Sequence, residues 1–154
     1  MQFSISPIGF VSSSRKERKD INWDVESTYI ELTPDFAGSS LAGLDQFSHA
    51  TVIFLMDRIA PTDIVLDWRH PRDREDLPKV GIFAQRSSGR PNRLGATVCR
   101  VLEVTGRRLY VAGLDAIDGS PVIDIKPWMI EFGPRGTVFQ PPWVSEIMRD
   151  YWRS

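Results

Sequence analysis

Residues 94–114 read LGATVCRVLEVTGRRLYVAGL, and this stretch decides the fold class. Two runs rich in apolar and β-branched residues, ATVCRVLEV and RRLYVAGL, are separated by Thr105 and Gly106, and this arrangement predicts an antiparallel hairpin. No alternating strand and helix units surround it, and the chain contains no GxGxxG motif. The sequence therefore predicts an all-β fold and argues against a Rossmann sheet.

Further strands are expected on both sides of this hairpin. The run HATVIFLMD is continuously apolar, as buried strands are, and VESTYIEL alternates between two faces. The expected strands lie at residues 3–10, 25–32, 49–57, 80–86 and 121–128. Closing these strands on themselves would remove exposed sheet edges, so we predict a β-barrel.

The tail PPWVSEIMRDYWRS carries the helix signal of the chain. Pro142 suits a first helical turn, and Val144, Ile147, Met148 and Tyr151 fall at three-four spacing. We therefore predict a single barrel domain over residues 1–154 that ends in a short helix.

Composition limits the classes of function. A chain of 154 residues with 42% hydrophobic and 25% charged residues suits one globular domain, and its net charge of −1 argues against a dedicated nucleic-acid binder. No run approaches the roughly 18 apolar residues of a membrane span, and the N-terminus lacks the features of a secretory signal, so we expect a cytoplasmic protein. Cys99 has no disulfide partner, and His49 and His70 lack metal-ligand spacing, so no metal is expected.

Three loops could carry chemistry. The first covers residues 68–74, where His70 could act as a base or could simply be an exposed loop residue. AQRSSGRPNRLG at residues 84–95 holds three arginines, whose guanidinium groups suit carboxylates or phosphates, although a solvated loop would have the same composition. LDAIDGSPVIDIKP at residues 114–127 offers acidic residues that could hold ribose hydroxyls or transfer protons, or could simply form turns. Asp124 and Lys126 lie in an apolar strand, where a mutual ion pair would also explain them.

Five motifs occur in a specific order. They are PIGFVSS at 7–13, GLDQFSHATVIFLMD at 43–57, HPR at 70–72, GIFAQRSSGRPNRLGATVCRVLEV at 81–104 and GLDAIDGSPVIDIKPW at 113–128. Together they resemble the TrmO family, also called YaeB-like or TsaA-like proteins. The resemblance implies a β-barrel homodimer that binds S-adenosylmethionine near the subunit interface. It further implies methylation of the exocyclic amine of an adenine beside the tRNA anticodon.

The resemblance also assigns residues. It implies cofactor contacts from Met56, Asp57, Arg86, Ala96, Asp115, Ala116, Ile117 and Asp118. Asp124 and Lys126 match an aspartate–isoleucine–lysine–proline motif on the acceptor side or at the dimer interface. We expect Asp124 to accept the proton of the amine, with Lys126 beside it and His70 as the second candidate base. The residues expected to bind the acceptor substrate are Arg72, Arg90 and Asn92, and the residues expected to meet phosphates are Arg69, Arg72, Arg74 and Lys79.

The sequence also departs from the family pattern. Gln85 replaces a threonine, Arg93 replaces a proline, and RKERKDINW at residues 15–23 replaces a proline–glutamine–proline segment. The additional C-terminal domain of many bacterial members is not expected here. Two alternatives therefore stay open: a methyltransferase of the same fold that acts on a small molecule or another RNA, and a non-catalytic regulator that binds S-adenosylmethionine.

Overall fold

Six strands close into an antiparallel barrel in the computed structural model, which describes residues 1–153. In chain order the strands are β1 (Gly9–Ser13), β2 (Thr28–Leu32), β3 (His49–Leu55), β4 (Trp68–Arg69), β5 (Val80–Gly81), β6 (Leu94–Thr105), β7 (Arg108–Ala112) and β8 (Pro121–Pro127). Around the barrel the order is β1, β2, β7, β6, β3 and β8, and β8 pairs with β1 to close it. β4 and β5 form a separate two-stranded ribbon. The predicted all-β barrel is confirmed.

The predicted hairpin is formed by β6 and β7. Thr105 pairs with Arg108 across the turn, and Gly106 has a φ of 58°, which glycine adopts without the steric penalty of a Cβ atom. A register shift between Val101 and Glu103 marks a bulge in the long β6 strand.

The barrel interior is the hydrophobic core. Along β3 every second residue is buried, as expected for a strand with one face inward. The inward side chains are Val11, Ile30, Leu32, Leu41, Val52, Phe54, Met56, Cys99, Leu109, Val111, Leu114, Ala116 and Val122. Burial raises the pKa of the Cys99 thiol to about 12, which agrees with its predicted role as a small buried apolar residue.

Three sequence predictions of strands need correction. The run at 80–86 is a strand only at Val80–Gly81, because a 3-10 turn at Ile82–Ala84 follows and the Gln85 side chain donates to the carbonyls of Arg69 and Val80. The second strand begins at Thr28 and not at residue 25, since residues 23–25 form another 3-10 turn. The first begins at Gly9, after Pro7, which has no N–H to donate.

The predicted C-terminal helix is confirmed as α1 (Pro142–Ile147), although Met148 and Tyr151 lie beyond its end. Within residues 1–153, no helix has the length and apolar character needed to cross a membrane.

Candidate functional site

The end of β3 lies beside the 115–118 loop. Arg58 follows the predicted cofactor residues Met56 and Asp57, and its Nη2 donates to the carbonyl oxygen of Asp118 at 3.0 Å. Its Nη1 donates to the carbonyl oxygen of Lys16 at 3.1 Å. Two of the segments assigned to the cofactor, about 60 residues apart in sequence, therefore share one corner of the barrel.

The Asp118 carboxylate is held from two directions. Its Oδ1 accepts a hydrogen bond from the backbone N–H of Ser13 at 3.0 Å, and its Oδ2 lies 2.6 Å from Lys16 Nζ. The hydrogen bond from Lys16 and that from the Ser13 N–H, together with the positive charge of Lys16 and Arg58, lower the pKa of Asp118. The carboxylate is therefore ionised and fixed at the end of the loop.

The Asp115 carboxylate is held at the start of the same loop. Thr97 Oγ1 donates to Asp115 Oδ1 at 2.5 Å, and the Tyr151 hydroxyl donates to Asp115 Oδ2. Ala116 is fully buried against the core, so it anchors the loop to the barrel, while Ile117 is partly exposed. The loop therefore has an engaged carboxylate at each end.

Arg86 and Ala96 are in direct contact, because Arg86 Nη2 donates to the carbonyl oxygen of Ala96. Ala96 pairs with Ile53 of β3, and Ile53 pairs with Asp124 of β8, so the three residues form one row across neighbouring strands. Side chains paired in this way point to the same face of a sheet, and the exposed Ala96 shows that it is the outer face. Two strand spacings separate Ala96 from Asp124, roughly 10 Å.

Asp124 and Lys126 form the ion pair that the sequence suggested. Lys126 Nζ lies 2.8 Å from Asp124 Oδ2, and both side chains are well exposed. Two charged side chains can therefore lie in this apolar strand because both face solvent, in addition to forming an ion pair with each other.

His70 is placed on the ribbon side of the fold. Its Nδ1 lies 2.8 Å from the carbonyl oxygen of Leu77, which can only accept, so Nδ1 carries the hydrogen and Nε2 is the basic nitrogen. Among the described residues, no hydrogen bond or ion pair joins His70 to Asp124 or Lys126. Arg72, the next predicted substrate residue, has a φ of 52° and lies 3.7 Å from an Asp20 oxygen.

The arginines divide into two groups. Three that were expected to meet phosphates have carboxylate neighbours: Arg69 with Asp73, Arg72 with Asp20, and Arg74 with Asp76 and Glu146. Lys79 lies over the Trp68 ring instead.

A second group of arginines donates to backbone carbonyls, and within residues 1–153 none of its members lies within 4.0 Å of a carboxylate. These are Arg58, Arg86, Arg90 and Arg93. Asn92 is exposed beside them.

Several residues at this corner were not predicted from the sequence. Lys16 and Arg18 belong to the segment that departs from the family pattern, and Arg18 Nη1 donates to Met56 Sδ at 3.0 Å. The charge run RKERKD directly after β1 was a signal for them. Thr97 and Tyr151 gave no signal, because a hydroxyl on a strand and an aromatic residue in a tail are common in any sequence.

A separate cleft of about 480 Å³ lies on the wall of the barrel. It is lined by Asp24, His49, Val98, Arg100, Ala112, Gly113 and Trp152, none of which was predicted as a site residue. In the part of the chain that the structure describes, no group of three or more His, Cys, Asp or Glu residues is arranged to hold a metal ion.

Comparison with known proteins adds to this geometry. Residues 16–133 match the family model of the tRNA-methyltransferase O N-terminal domain. The chain is 39% identical over 135 residues to the putative S-adenosylmethionine-dependent methyltransferase RcsF of Pseudomonas aeruginosa, a match that covers 84% of this chain and 56% of that protein. It is 36% identical over 102 residues to the human tRNA (adenine(37)-N6)-methyltransferase, covering 66% of this chain and 23% of the human protein.

A solved structure agrees with these sequence matches. The crystal structure of TrmO from Pseudomonas aeruginosa superposes with a TM-score of 0.73 at 30% identity, over 90% of this chain and 61% of that one. The chain thus spans little more than half the length of the bacterial relatives it matches. With its family match, its barrel and its motifs in agreement, the chain belongs to the tRNA-methyltransferase O family.

Proposed function

We propose that this chain is a methyltransferase that uses S-adenosylmethionine to methylate the N6 amine of an adenine beside the tRNA anticodon. The observation that carries the proposal is the hydrogen bond from Arg58 to the Asp118 carbonyl, which brings the end of β3 against the 115–118 loop. The names of the bacterial and human relatives support the cofactor and the acceptor.

The loop after β5 has a feature that fits a bound ligand. Ser87 Oγ is buried beside Arg86 and has no hydrogen-bond partner among the described residues. A buried hydroxyl without a partner costs about 1–3 kcal/mol, so a ligand that bonds to it gains affinity. The residues that would hold the cofactor are Met56, Asp57, Arg86, Ala96 and residues 115–118, with Ser87 added from the structure.

The chain's own residues then have two tasks, which are to hold the methyl donor and to accept the proton. S-adenosylmethionine supplies an electrophilic methyl group on its sulfonium when it is bound. The 115–118 loop, anchored at Asp115 and Asp118, and Arg86 would hold the donor, so that the acceptor amine could approach in line at close range. The exposed Asp124 carboxylate, held by Lys126 at 2.8 Å, is available on the outer face to take the proton that the amine loses.

The uncompensated arginines are suited to the phosphates of an RNA acceptor. Arg90 donates to the Gln85 carbonyl at 2.7 Å, which orients its guanidinium group without neutralising its charge. Replacing Arg90 by Ala should remove one phosphate contact. The magnitude of the slope of log affinity for tRNA against log salt concentration should then fall by about 1. Arg74→Ala is the matched control, since Arg74 is already paired with Asp76 and Glu146. Equal slopes for both variants would argue against RNA contact at this loop.

We also propose that this chain acts in the cytoplasm as a homodimer. Exposed apolar side chains on β6 support the dimer: Leu94, Val98 and Leu102 are 37%, 46% and 58% exposed, with the exposed Arg100 between the last two. Sedimentation equilibrium of the wild type and of Val98→Glu would test it. We expect a dimer that the added charge dissociates, and a monomeric wild type would contradict it.

One experiment tests the function as a whole. The purified protein is given S-adenosylmethionine with a labelled methyl group and tRNA, and a second tRNA has guanine in place of the adenine beside the anticodon. We expect cofactor binding by calorimetry and label transfer to the first tRNA only. Transfer to a small molecule and not to tRNA would favour the first alternative acceptor class. Binding without transfer to any acceptor would indicate a regulator.

A further inference from the structure

The last described residues fold back onto the start of the 115–118 loop. They lie beyond residue 133, where the family match ends, and they follow α1. The N–H of Asn22 donates to the carbonyl of Asp150 at 2.8 Å, and the N–H of Trp23 donates to the carbonyl of Tyr151 at 2.9 Å. These main-chain bonds fix the tail against the segment before β2.

The Tyr151 side chain points inward from this anchor. It is only 7% exposed. Its ring lies edge-on to the Trp152 ring, with 4.8 Å between the ring centroids, and its centroid is 6.4 Å from that of the fully buried Trp23. Its hydroxyl donates to Asp115 Oδ2, while Thr97 of β6 donates to Asp115 Oδ1. The carboxylate that opens the loop is therefore held by a donor from the tail and a donor from the barrel.

Asp115 is only partly buried, and its carboxylate keeps acceptor capacity beyond these two bonds. A carboxylate oxygen has two lone-pair directions, and each Asp115 oxygen uses one of them for its protein donor. Burial and the negative charge of Asp115 raise the pKa of Tyr151, so the phenol stays protonated and remains a donor. The remaining acceptor directions are thus fixed in space.

We propose that Tyr151 is a positioning residue for nucleoside binding, which holds Asp115 in the orientation that accepts hydrogen bonds from the two hydroxyls of a ribose. This inference rests on the proposed function, which assigns the 115–118 loop to the cofactor. It adds that a residue outside the family-matched region completes the site.

The test measures two ligands on three variants by calorimetry. The ligands are S-adenosylhomocysteine and an analogue of it that lacks both ribose hydroxyls. The variants are Tyr151→Phe, which keeps the ring and removes the hydroxyl, Thr97→Val, which removes the second donor, and Tyr29→Phe, a matched control on β2. We expect Tyr151→Phe and Thr97→Val each to weaken the binding of S-adenosylhomocysteine about tenfold and to leave the affinity for the analogue unchanged. Tyr29→Phe should change neither.

The outcomes separate this inference from the function on which it rests. If the wild type binds neither ligand, the cofactor assignment fails and the inference fails with it. If the wild type binds and Tyr151→Phe binds equally well, or weakens both ligands alike, the positioning role alone is overturned. If Tyr151→Phe does not fold by circular dichroism, Thr97→Val decides the same question from the other oxygen.

Discussion

Asp124 and Lys126 occupy alternate positions on β8, and their charged groups lie 2.8 Å apart on the outer face of the barrel. Their side chains are 43% and 65% exposed, so the pair contributes only about 0.2–1 kcal/mol to stability. Its loss therefore leaves the barrel folded. Variants at Asp124 can accordingly report on chemistry without a confounding loss of structure.

Replacing Asp124 by Asn should lower the rate of methyl transfer about 100-fold, because the amide cannot take the proton from the amine. The affinity for S-adenosylmethionine should stay as in the wild type, since we propose that this side chain serves the acceptor and not the cofactor. Single-turnover kinetics with saturating cofactor measures the rate, and Asp35→Asn, in an exposed loop, is the control. Full turnover by the Asp124 variant would remove this residue from the mechanism.

Replacing Arg86 by Ala should weaken S-adenosylmethionine binding about tenfold. The change removes a cationic side chain from the proposed cofactor loop and frees the carbonyl oxygen of Ala96 that it now holds. Calorimetry measures the dissociation constant. Arg108→Ala is the matched control, because Arg108 pairs with Glu31 on another part of the barrel. The same loss in both variants would mean that the effect reflects net charge only.

The contact between Asp118 and Lys16 should make the free energy of unfolding depend on pH in the acid range. The pKa of Asp118 is lowered below 3.8 in the folded protein, so its stabilising contribution is complete above pH 3.8 and is lost as the pH falls through the lowered folded-state value. Because the pair is partly exposed, we expect a contribution of about 0.5 kcal/mol. Urea unfolding between pH 5 and pH 2 measures it against Asp118→Asn, which should lack this component. Parallel curves for the two proteins would contradict the prediction.

Replacing Gly95 by Ala should destabilise the barrel by about 2 kcal/mol. An added Cβ would lie closest to Cζ and 2.7 Å from both Cε atoms of Phe54, whose side chain is buried in the core at 2% exposure. Thermal unfolding provides the measurement. Gly81→Ala should change stability by less than about 0.5 kcal/mol, because nothing lies within 4 Å and its φ of −60° suits alanine. An equal effect at the two positions would show that the contact with Phe54 is unimportant.

Strands with strong local signals could be predicted from the sequence, and those decided by distant contacts could not. The β6 and β7 hairpin follows from apolar runs on each side of Gly106, so local pattern sufficed. The run at 80–86 has the same apolar character, but the buried Gln85 side chain, with bonds to Arg69 and Val80, turns it away from a sheet. No window of sequence shows that bond.

The candidate site shows the same division. The motifs predicted Asp115 and Asp118 as polar groups of one loop, and the structure places them at its two ends. The partners that hold them, Lys16, Thr97 and Tyr151, come from distant parts of the chain, at separations of up to 102 residues. Such partners follow from barrel closure, which depends on all the strands together.

The joint between β1 and β8 is the narrowest in the barrel. The two strands share only two residue pairs, whereas β3 and β6 share seven. The rest of the joint consists of hydrogen bonds from the loop that precedes β8, including Gly119 N–H to the Val11 carbonyl at 2.8 Å and Val11 N–H to the Ser120 carbonyl at 3.0 Å. Local opening of the barrel and disordering of that loop are therefore a single event. A ligand that binds to the loop would oppose this opening and slow amide hydrogen exchange along β1, on the far side of the joint from its own contacts.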